Sequence, residues 1–374
     1  MKLIKSIMNY GLICMICLFS NFKTFGQSKT DKPTFRAGIS STDITPPLGL
    51  GIVGNYGDPP LANHIHDPLS VKTMVMDDGL TRIAIVIVDN LGVPSWLCEA
   101  AKDTVFKETK LLASHIMIAS THTHSAVNPA GDGDFRWAYG YGKAFDEYQK
   151  FMIRPIADGV RIAINNLRPA QIGWGSFERP QHVFNRRWYM KELVVNPFGF
   201  LDSVKTNAGL SSKMEDLSRP AGPIDPEVSF ISVKTLSGKP MAILANYSLH
   251  YVGGVPKHDI SADYFGEFNN SLKREFAIDP STPFLGIMSN GTSGDINNMN
   301  FAKEPEHYPI YEKMKIVAND LAKGVAEQFE KITYHDWVPL KAVSTVIMLK
   351  IRNPSAELIE NQKKIKQHQD PKPL

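Results

Sequence analysis

Four short apolar runs, each followed at once by polar residues, constrain the fold of this chain more than any other feature. The runs cover residues 81–90 (TRIAIVIVDN), 115–120 (HIMIAS), 240–251 (PMAILANYSLHY) and 282–291 (TPFLGIMSNG). Continuous apolar runs rich in Ile, Val, Leu and Met are typical of strands that are buried on both faces. We therefore predict that the four runs are central strands of one sheet.

Helical patterns alternate with these runs. Residues 99–113, 144–167 and 311–332 have the spacing of amphipathic helices, and Pro155 is a point where the second helix is expected to break. This order predicts an α/β fold with a mixed, mainly parallel sheet flanked by helices. Residues 177–226 are richer in Pro, Gly, Asn and charge, so we expect a loop-rich excursion over the active face.

The N-terminus has the pattern of a secretory signal peptide. Lys2 and Lys5 precede an apolar run at 7–19, and polar residues and the small Gly26 follow it. The run is too short to span a bilayer, so a signal peptide over 1–26 and a secreted or periplasmic protein are expected. An uncleaved N-terminal anchor is the alternative.

Charge and cysteine content argue against a nucleic-acid-binding protein and against a protein with an internal disulfide. The formal charge is +3, and removal of Lys2, Lys5 and Lys23 without any acid leaves 3 − 3 = 0. A neutral chain without a basic block lacks the electrostatic pattern of a nucleic-acid-binding protein. Cys98 is the one cysteine after residue 26, so no internal disulfide is expected.

Reactive residue types follow all four predicted strands. The first run ends at Asp89 and Asn90, STHTHS follows the second, the third reaches His250, and the fourth leads into NGTSGDINN. Ligands bind outside the carboxyl ends of strands in open α/β sheets. Parallel strands would therefore bring these groups to one crevice.

His122 and His124 point to a metal. Residues i and i+2 of an extended segment face the same side, so both rings would face the crevice together with His250. Imidazole is a good zinc ligand, and a catalytic zinc keeps one position for water. The alternative is that these are hydrogen-bonded structural histidines near a turn, because H-x-H spacing alone is weak evidence.

The glycine-rich loop leaves three interpretations open. Ser293 lies between glycines after a strand, but a nucleophile elbow would need glycine where Asp295 stands. A tight turn whose backbone N–H groups bind Asp295 is one alternative. A set of backbone donors for an oxyanion is the other.

Other polar residues are weaker candidates. Arg186 of the pair Arg186–Arg187 has the planar guanidinium that orients a carboxylate or a polarised carbonyl, although arginine pairs are usually surface charges. His64 and His66 are explained by local turn chemistry. Asp263 is expected to cap a helix.

Several stretches, in order, resemble one family, the neutral/alkaline (non-lysosomal) ceramidases. They are RAGISSTDITPP, IVGNYG, IHDPLSVKTMVMDDG, VIVDNLG, IASTHTHS, FNRRW, GPIDPEV, NYSLH and NGTSGDINN. The resemblance is to the N-terminal catalytic domain and runs from about Phe35 to Ile332. It implies a ceramidase-like α/β catalytic domain over 35–353 and a polar C-terminal tail over 354–374. The family uses one zinc to hydrolyse the amide of N-acylsphingosine, which releases a fatty acid and sphingosine.

The resemblance also implies roles for individual residues. His122 and His250 would bind Zn²⁺. His124 would contact the substrate or the developing oxyanion, Gly54 would line the site beside the scissile amide, and Arg186 would orient the polar head.

Two departures from the family pattern bear on the chemistry. Asn297 stands where the family has a serine two residues after the Gly-Asp pair, and Asp295 is that aspartate. A water activated by zinc would then attack, with Asn297 donating a hydrogen bond, and the substrate would be an amide or ester other than ceramide. The family's remaining zinc ligands, a glutamate and a tyrosine, belong to a later segment with a P-G-E-like motif that does not occur before Leu374. No counterpart of the family's C-terminal β-sandwich domain is expected within these residues.

These observations predict a secreted zinc-dependent amidohydrolase that cleaves the N-acyl amide of ceramide-like lipids. The candidate catalytic residues are His124, Arg186, Asp295 and Asn297. The expected partner is a lipid or another small molecule, with no nucleic acid and at most peripheral membrane contact. The alternatives are a metal-dependent hydrolase of polar glycans or of another amide or ester, and a catalytically incomplete binding protein.

Overall fold

A computed structural model of the protein describes residues 33–54, 59–127, 147–351 and 353–368. The predicted signal peptide over 1–26 lies outside the described residues and stays a prediction. The described residues from Phe35 onward cluster as one compact unit. Among the described helices, none is long and apolar enough to cross a bilayer.

Short and long strands alternate with helices along the described chain. The strands are β1 (Arg36–Asp43), β2 (Ile52–Val53), β3 (His64–Ile65), β4 (Ser70–Asp77), β5 (Arg82–Val88), β6 (Ile116–Ser120), β7 (Ala126–Val127), β8 (Arg168–Glu178), β9 (Phe184–Asn185), β10 (Arg187–Val195), β11 (Leu201–Thr206), β12 (Leu217–Pro220), β13 (Glu227–Thr235), β14 (Pro240–Tyr247), β15 (Asp259–Ile260), β16 (Leu285–Asn290), β17 (Ile296–Asn297) and β18 (Tyr334–His335). The α-helices are α1 (Ser95–Thr109), α2 (Glu147–Asn165), α3 (Ala208–Ser211), α4 (Asp263–Glu275), α5 (Glu312–Phe329) and α6 (Ala356–His368). Three-residue 3₁₀ helices lie at Ala113–His115, Pro180–His182 and Met214–Asp216.

The main sheet has the strand order β16-β14-β13-β8-β1-β4-β5-β6, and β18 pairs with β8. The α/β class and the mixed sheet flanked by helices are therefore confirmed. The pairs β5–β6 and β14–β16 are parallel. The other neighbouring strands of this sheet are antiparallel, so the expected predominance of parallel pairs is wrong.

The lengths of the connections between strands explain which strand pairs of this sheet are parallel and which are antiparallel. The four predicted strands are β5, β6, β14 and β16, and a helix joins each parallel pair, as a parallel connection requires. Five strands that the apolar runs did not reveal complete the sheet, namely β1, β4, β8, β13 and β18. Tight turns containing Gly79 (φ 89°) and Gly238 (φ 84°) join β4 to β5 and β13 to β14, and connections this short produce antiparallel hairpins.

Helices cover the sheet in two groups, and each group has its own core. Helices α1 and α2 pack on strands β4 and β5, where Met152 and Val86 are fully buried. Helices α4 and α5 pack on β13, β14 and β16, with Phe265 and Leu321 at the centre. Helix α2 continues through Pro155, where we expected a break, because its apolar face is anchored by buried side chains on both sides of the proline.

The predicted excursion over 177–226 contains more regular structure than expected. Strands β10, β11 and β12 form a separate antiparallel sheet on a small core that includes Trp188 and Met190. Trp188 and Met190 are two residues apart, and this alternate spacing is typical of a strand with one buried face. Before this sheet, β9 pairs with β17 and thereby brings Arg186 to the loop that contains Asp295.

Candidate metal centre

Three histidine side chains converge at the carboxyl ends of the parallel strand pairs. The Nε2 atoms of His122 and His250 are 3.2 Å apart, those of His124 and His122 are 3.3 Å apart, and those of His250 and His124 are 3.2 Å apart. The three residues form a potential metal-binding group. Sequence order places His250 more than a hundred residues after the other two, so tertiary structure creates this triangle.

Hydrogen bonds on the far side of each ring assign the tautomer that the neutral ring adopts. Each Nδ1 lies next to a backbone carbonyl oxygen: His122 next to Leu91 (2.7 Å), His124 next to Gly54 (2.7 Å) and His250 next to Ser293 (2.9 Å). A carbonyl oxygen only accepts, so each Nδ1 carries the proton and each Nε2 presents a lone pair. Three lone pairs directed at one point repel one another unless a cation lies between them.

The triangle fits a zinc ion. Zinc–imidazole bonds of about 2.0–2.1 Å in tetrahedral geometry place the nitrogen atoms about 3.3–3.4 Å apart. The observed separations of 3.2–3.3 Å agree with that spacing. Three protein ligands with one open position are characteristic of catalytic zinc sites, and backbone carbonyls on the Nδ1 atoms provide the usual outer support.

The surroundings of His124 and His250 keep their rings neutral, which is the form that binds a metal ion. Burial, with the neighbouring His122 and His250 rings, lowers the pKa of His124 to about 3. Burial likewise lowers the pKa of His250 to about 4, with a further contribution from His122. Because metal ions bind neutral imidazole, protons do not compete for His124 and His250 near neutral pH.

The backbone after β6, not strand alternation, aims the first two rings. Strand β6 ends at Ser120, and His122 has a left-handed backbone conformation with φ 69°. The N–H of His122 donates to the carbonyl of Asn90, which fixes this turn. The prediction of two rings on one face of an extended segment was therefore wrong in its geometry. Left-handed non-glycine residues are strained and concentrate at functional sites.

Gly54 is adapted to His124. Its φ of 106° favours glycine, and a Cβ at this position would lie 2.7 Å from both Cγ and Nδ1 of His124. The Tyr251 ring stacks on the His124 imidazole at 3.8 Å between centroids. Gly54 therefore lies against the His124 ring, and its position beside a scissile amide stays a prediction.

Buried polar groups hold the segment after His250. The Asp263 carboxylate accepts hydrogen bonds from the N–H groups of Val252, Gly253 and Tyr264, and burial raises its pKa to about 6. Asn298 donates to the carbonyl of Val252 from the other side. Asp263 was expected to cap a helix. It is instead the first residue of α4, and its carboxylate mainly fixes the loop that begins at His250.

Arg186 lies close enough to the histidines for its charge to lower the pKa values of His124 and His250. Its backbone N–H donates to the carbonyl of Asp295 (2.8 Å). Its Nε is buried and has no hydrogen-bond partner among the described residues. A buried donor without a partner is unfavourable, so an oxygen of a bound ligand or of a water molecule would satisfy it.

The polar side chains of the glycine-rich loop have partners within the protein. The Asp295 carboxylate accepts from Asn185 Nδ2 (3.0 Å) and lies 3.7 Å from the Arg187 guanidinium. Asn297 accepts from the N–H of Met299. Ser293 donates its hydroxyl to Asn290 Oδ1 (2.5 Å), so this serine is a structural donor and not an activated nucleophile.

Two other groups from the sequence analysis have partners outside the triangle. Asp89 is fully buried in an ion pair with Lys72 at 2.9 Å. His64 pairs with Asp259, and the His66 ring stacks on Tyr311. Sequence reasoning missed Tyr251 and Asn290, although both lie at the polar ends of predicted strands, which is the signal that could have identified them.

Comparisons with known proteins give a likeness in fold. No protein-family model matches the chain, and no curated protein does. The crystal structure of neutral ceramidase from Pseudomonas aeruginosa superposes with a TM-score of 0.57 at 17% identity, over 81% of this chain and 45% of that one. A ceramidase complexed with C2 superposes with a TM-score of 0.59 at 17% identity, over 79% and 44%. The chain spans less than half the length of both proteins, and its fold is that of a ceramidase-like α/β domain.

Proposed function

We propose that this chain is a zinc-dependent hydrolase that cleaves the N-acyl amide of ceramide-like lipids to a fatty acid and a sphingoid base. The observation that carries the proposal is the convergence of three Nε2 lone pairs within 3.2–3.3 Å. The ceramidase-like fold supports the class of reaction, and fold alone does not fix a substrate.

The proposed zinc ligands are His122, His124 and His250. This set adds His124, which the resemblance assigned to substrate contact, because its Nε2 is as close to the other two as they are to each other. When bound, zinc supplies Lewis acidity that polarises a carbonyl oxygen and makes water a better nucleophile near neutral pH.

The remaining residues orient the substrate. Arg186 has an unpartnered buried Nε beside the triangle, which suits it to bind the scissile carbonyl or the carboxylate product. Asp295 holds Arg186 through its backbone carbonyl and thus acts as a support. Asn297 has a side-chain amide suited to donating a hydrogen bond to the attacking water.

Asparagine in place of the family serine favours a second candidate, the hydrolysis of a different amide or ester, including N-acetyl groups of polar glycans. A catalytically incomplete binding protein is the third. We also propose export, on the N-terminal pattern alone. N-terminal sequencing of protein recovered from the periplasm or medium should start near residue 27. A start at Met1 would contradict cleavage of a signal peptide, and absence of the protein from these fractions would contradict export.

The direct test combines metal analysis with turnover. Purified protein should retain about one zinc per chain and hydrolyse N-acylsphingosine, and a chelator should abolish turnover reversibly. His122→Ala should lose both properties. His115→Ala is the matched control, because the His115 Nδ1 also lies next to a backbone carbonyl (Arg82, 3.0 Å) but at the other end of β6. Hydrolysis of N-acetylated sugars in preference to ceramide would select the second candidate, and folded protein that binds no zinc would contradict the proposal.

A further inference from the structure

The histidines of the centre follow strands that are far apart in the hydrogen-bonding order of the sheet. His122 follows β6 at one end of the strand order, and His250 follows β14 near the other end. Their Nε2 atoms nevertheless lie 3.2 Å apart. Strand β16, the neighbour of β14, contacts both β5 and β6, so the two ends of the strand order meet beside the histidines.

Asn290, the last residue of β16, makes that connection. Its Nδ2 donates to the carbonyl of Thr121 (3.1 Å), the residue before His122. The same nitrogen donates to the carbonyls of Leu249 (3.2 Å) and His250 (2.9 Å). One side-chain amide thus bridges the segments that present the two histidines.

The oxygen of the Asn290 side-chain amide connects to Ser293, whose backbone carbonyl supports His250. Asn290 Oδ1 accepts from the Ser293 hydroxyl (2.5 Å), and the backbone carbonyl of Ser293 accepts from His250 Nδ1 (2.9 Å). The two hydrogens of Nδ2 are shared among three carbonyl oxygens, so one hydrogen bond is bifurcated, and three acceptors around the nitrogen fix the orientation of the amide. Only a side chain with two donor hydrogens and an acceptor in this plane satisfies the network, and aspartate or leucine does not.

We infer that Asn290 is a positioning residue that joins the two histidine-bearing segments, and that its amide sets the affinity of the centre for its metal. This inference rests on the metal centre proposed above. Partners that orient metal ligands from outside typically contribute 10–100-fold to metal affinity.

Asn290→Asp tests this role with almost no change in shape, because it replaces a donor with a carboxylate that faces three carbonyl oxygens. Asn246→Asp is the matched control. Asn246 lies on the adjacent β14, is similarly half-buried, and donates to Ser289 Oγ (2.9 Å) instead of a histidine segment. Zinc affinity is measured by competition with a chromophoric chelator, and coordination geometry by the visible absorption of bound Co²⁺.

The expected result is about a 10–100-fold loss of zinc affinity in Asn290→Asp with an altered Co²⁺ spectrum, and wild-type values in Asn246→Asp. If Asn290→Asp does not fold, Ser293→Ala removes only the hydroxyl that orients the amide and should weaken zinc by about tenfold. If a folded Asn290→Asp or Ser293→Ala variant has the zinc affinity and the Co²⁺ spectrum of the wild type, this inference is overturned and the proposed function is not. A wild-type protein that binds neither metal would overturn both this inference and the proposed function.

Discussion

At the residue scale, the centre depends on a few side chains whose environments the sequence does not display. H-x-H spacing and the strand ending in His250 were enough to predict that these residues belong together. Whether His124 binds metal or substrate could not be decided from spacing, because the aim of its ring depends on the left-handed backbone of His122 and the shape of Gly54. Local patterns do not encode either feature.

His124→Ala distinguishes a ligand from a substrate contact. Loss of one of three imidazoles should leave two ligands and reduce zinc content to well below one per chain. Loss of a substrate contact would leave zinc in place and change only turnover. Metal analysis after gel filtration decides between these outcomes, and retained stoichiometric zinc would remove His124 from the ligand set.

Gly54→Ala should disturb the centre through His124. The added Cβ would lie 2.7 Å from the imidazole, and φ 106° is unfavourable for alanine. Gly49→Ala is the control, because it shares the backbone strain (φ 91°) but its added Cβ meets no atom within 4 Å. The difference between the two variants therefore measures the steric effect. Both variants should lose about 1–2 kcal/mol of unfolding free energy through the backbone. Only Gly54→Ala should also lose zinc affinity, by about tenfold or more, and equal zinc affinity in the two would contradict the described packing.

Stability of the metal-free protein should fall as the pH drops below about 6.5. The unfolded chain protonates its histidines near that pH, whereas folded His124 and His250 have pKa values of about 3 and 4. Between these values the unfolded state binds more protons, so each histidine contributes a loss of up to about 1.4 kcal/mol per pH unit. Urea titrations at pH 6.5 and 5.0 measure the change in unfolding free energy between these two pH values. This change should be smaller in His124→Gln than in the wild type, and an equal change would argue against a buried neutral His124.

At the scale of elements, apolar runs predicted the four strands of the parallel pairs and missed their antiparallel neighbours. Strand β4 contains two buried polar residues, Thr73 and Lys72, and the partner of Lys72 is Asp89, which follows strand β5. A local pattern counts such residues as polar and therefore as exposed. Helix α2 shows the same limit, since tertiary burial maintains it across Pro155.

The Lys72–Asp89 pair should be important for the β4–β5 hairpin. Both side chains are almost fully buried, and Asp89 also accepts from the N–H and hydroxyl of Ser70. Asp89→Asn would leave the Lys72 ammonium buried without its counter-charge, which typically costs about 3–5 kcal/mol. Glu147→Gln, which removes an exposed pair with Lys150, is the control and should not change stability measurably. Chemical denaturation checks both, and a small effect in Asp89→Asn would show that water reaches this pair.

At the scale of the whole molecule, the C-terminal region exposes an apolar stretch. Val346, Met348 and Ile351 are 88–92% exposed, and no described residue hydrogen-bonds to the backbone of residues 341–351. Extended apolar segments with free backbone groups are prone to association. Sedimentation velocity should show association that increases with concentration and decreases in the double variant V346K/M348K. Monomeric wild type over the same range would contradict this expectation.

Zinc K-edge X-ray absorption of protein reconstituted with one equivalent of zinc tests the central claim most directly. The converging Nε2 atoms predict three imidazole nitrogens at about 2.0–2.1 Å, and two in His124→Ala. A spectrum without imidazole scattering, or one that is unchanged in His124→Ala, would contradict the three-histidine centre.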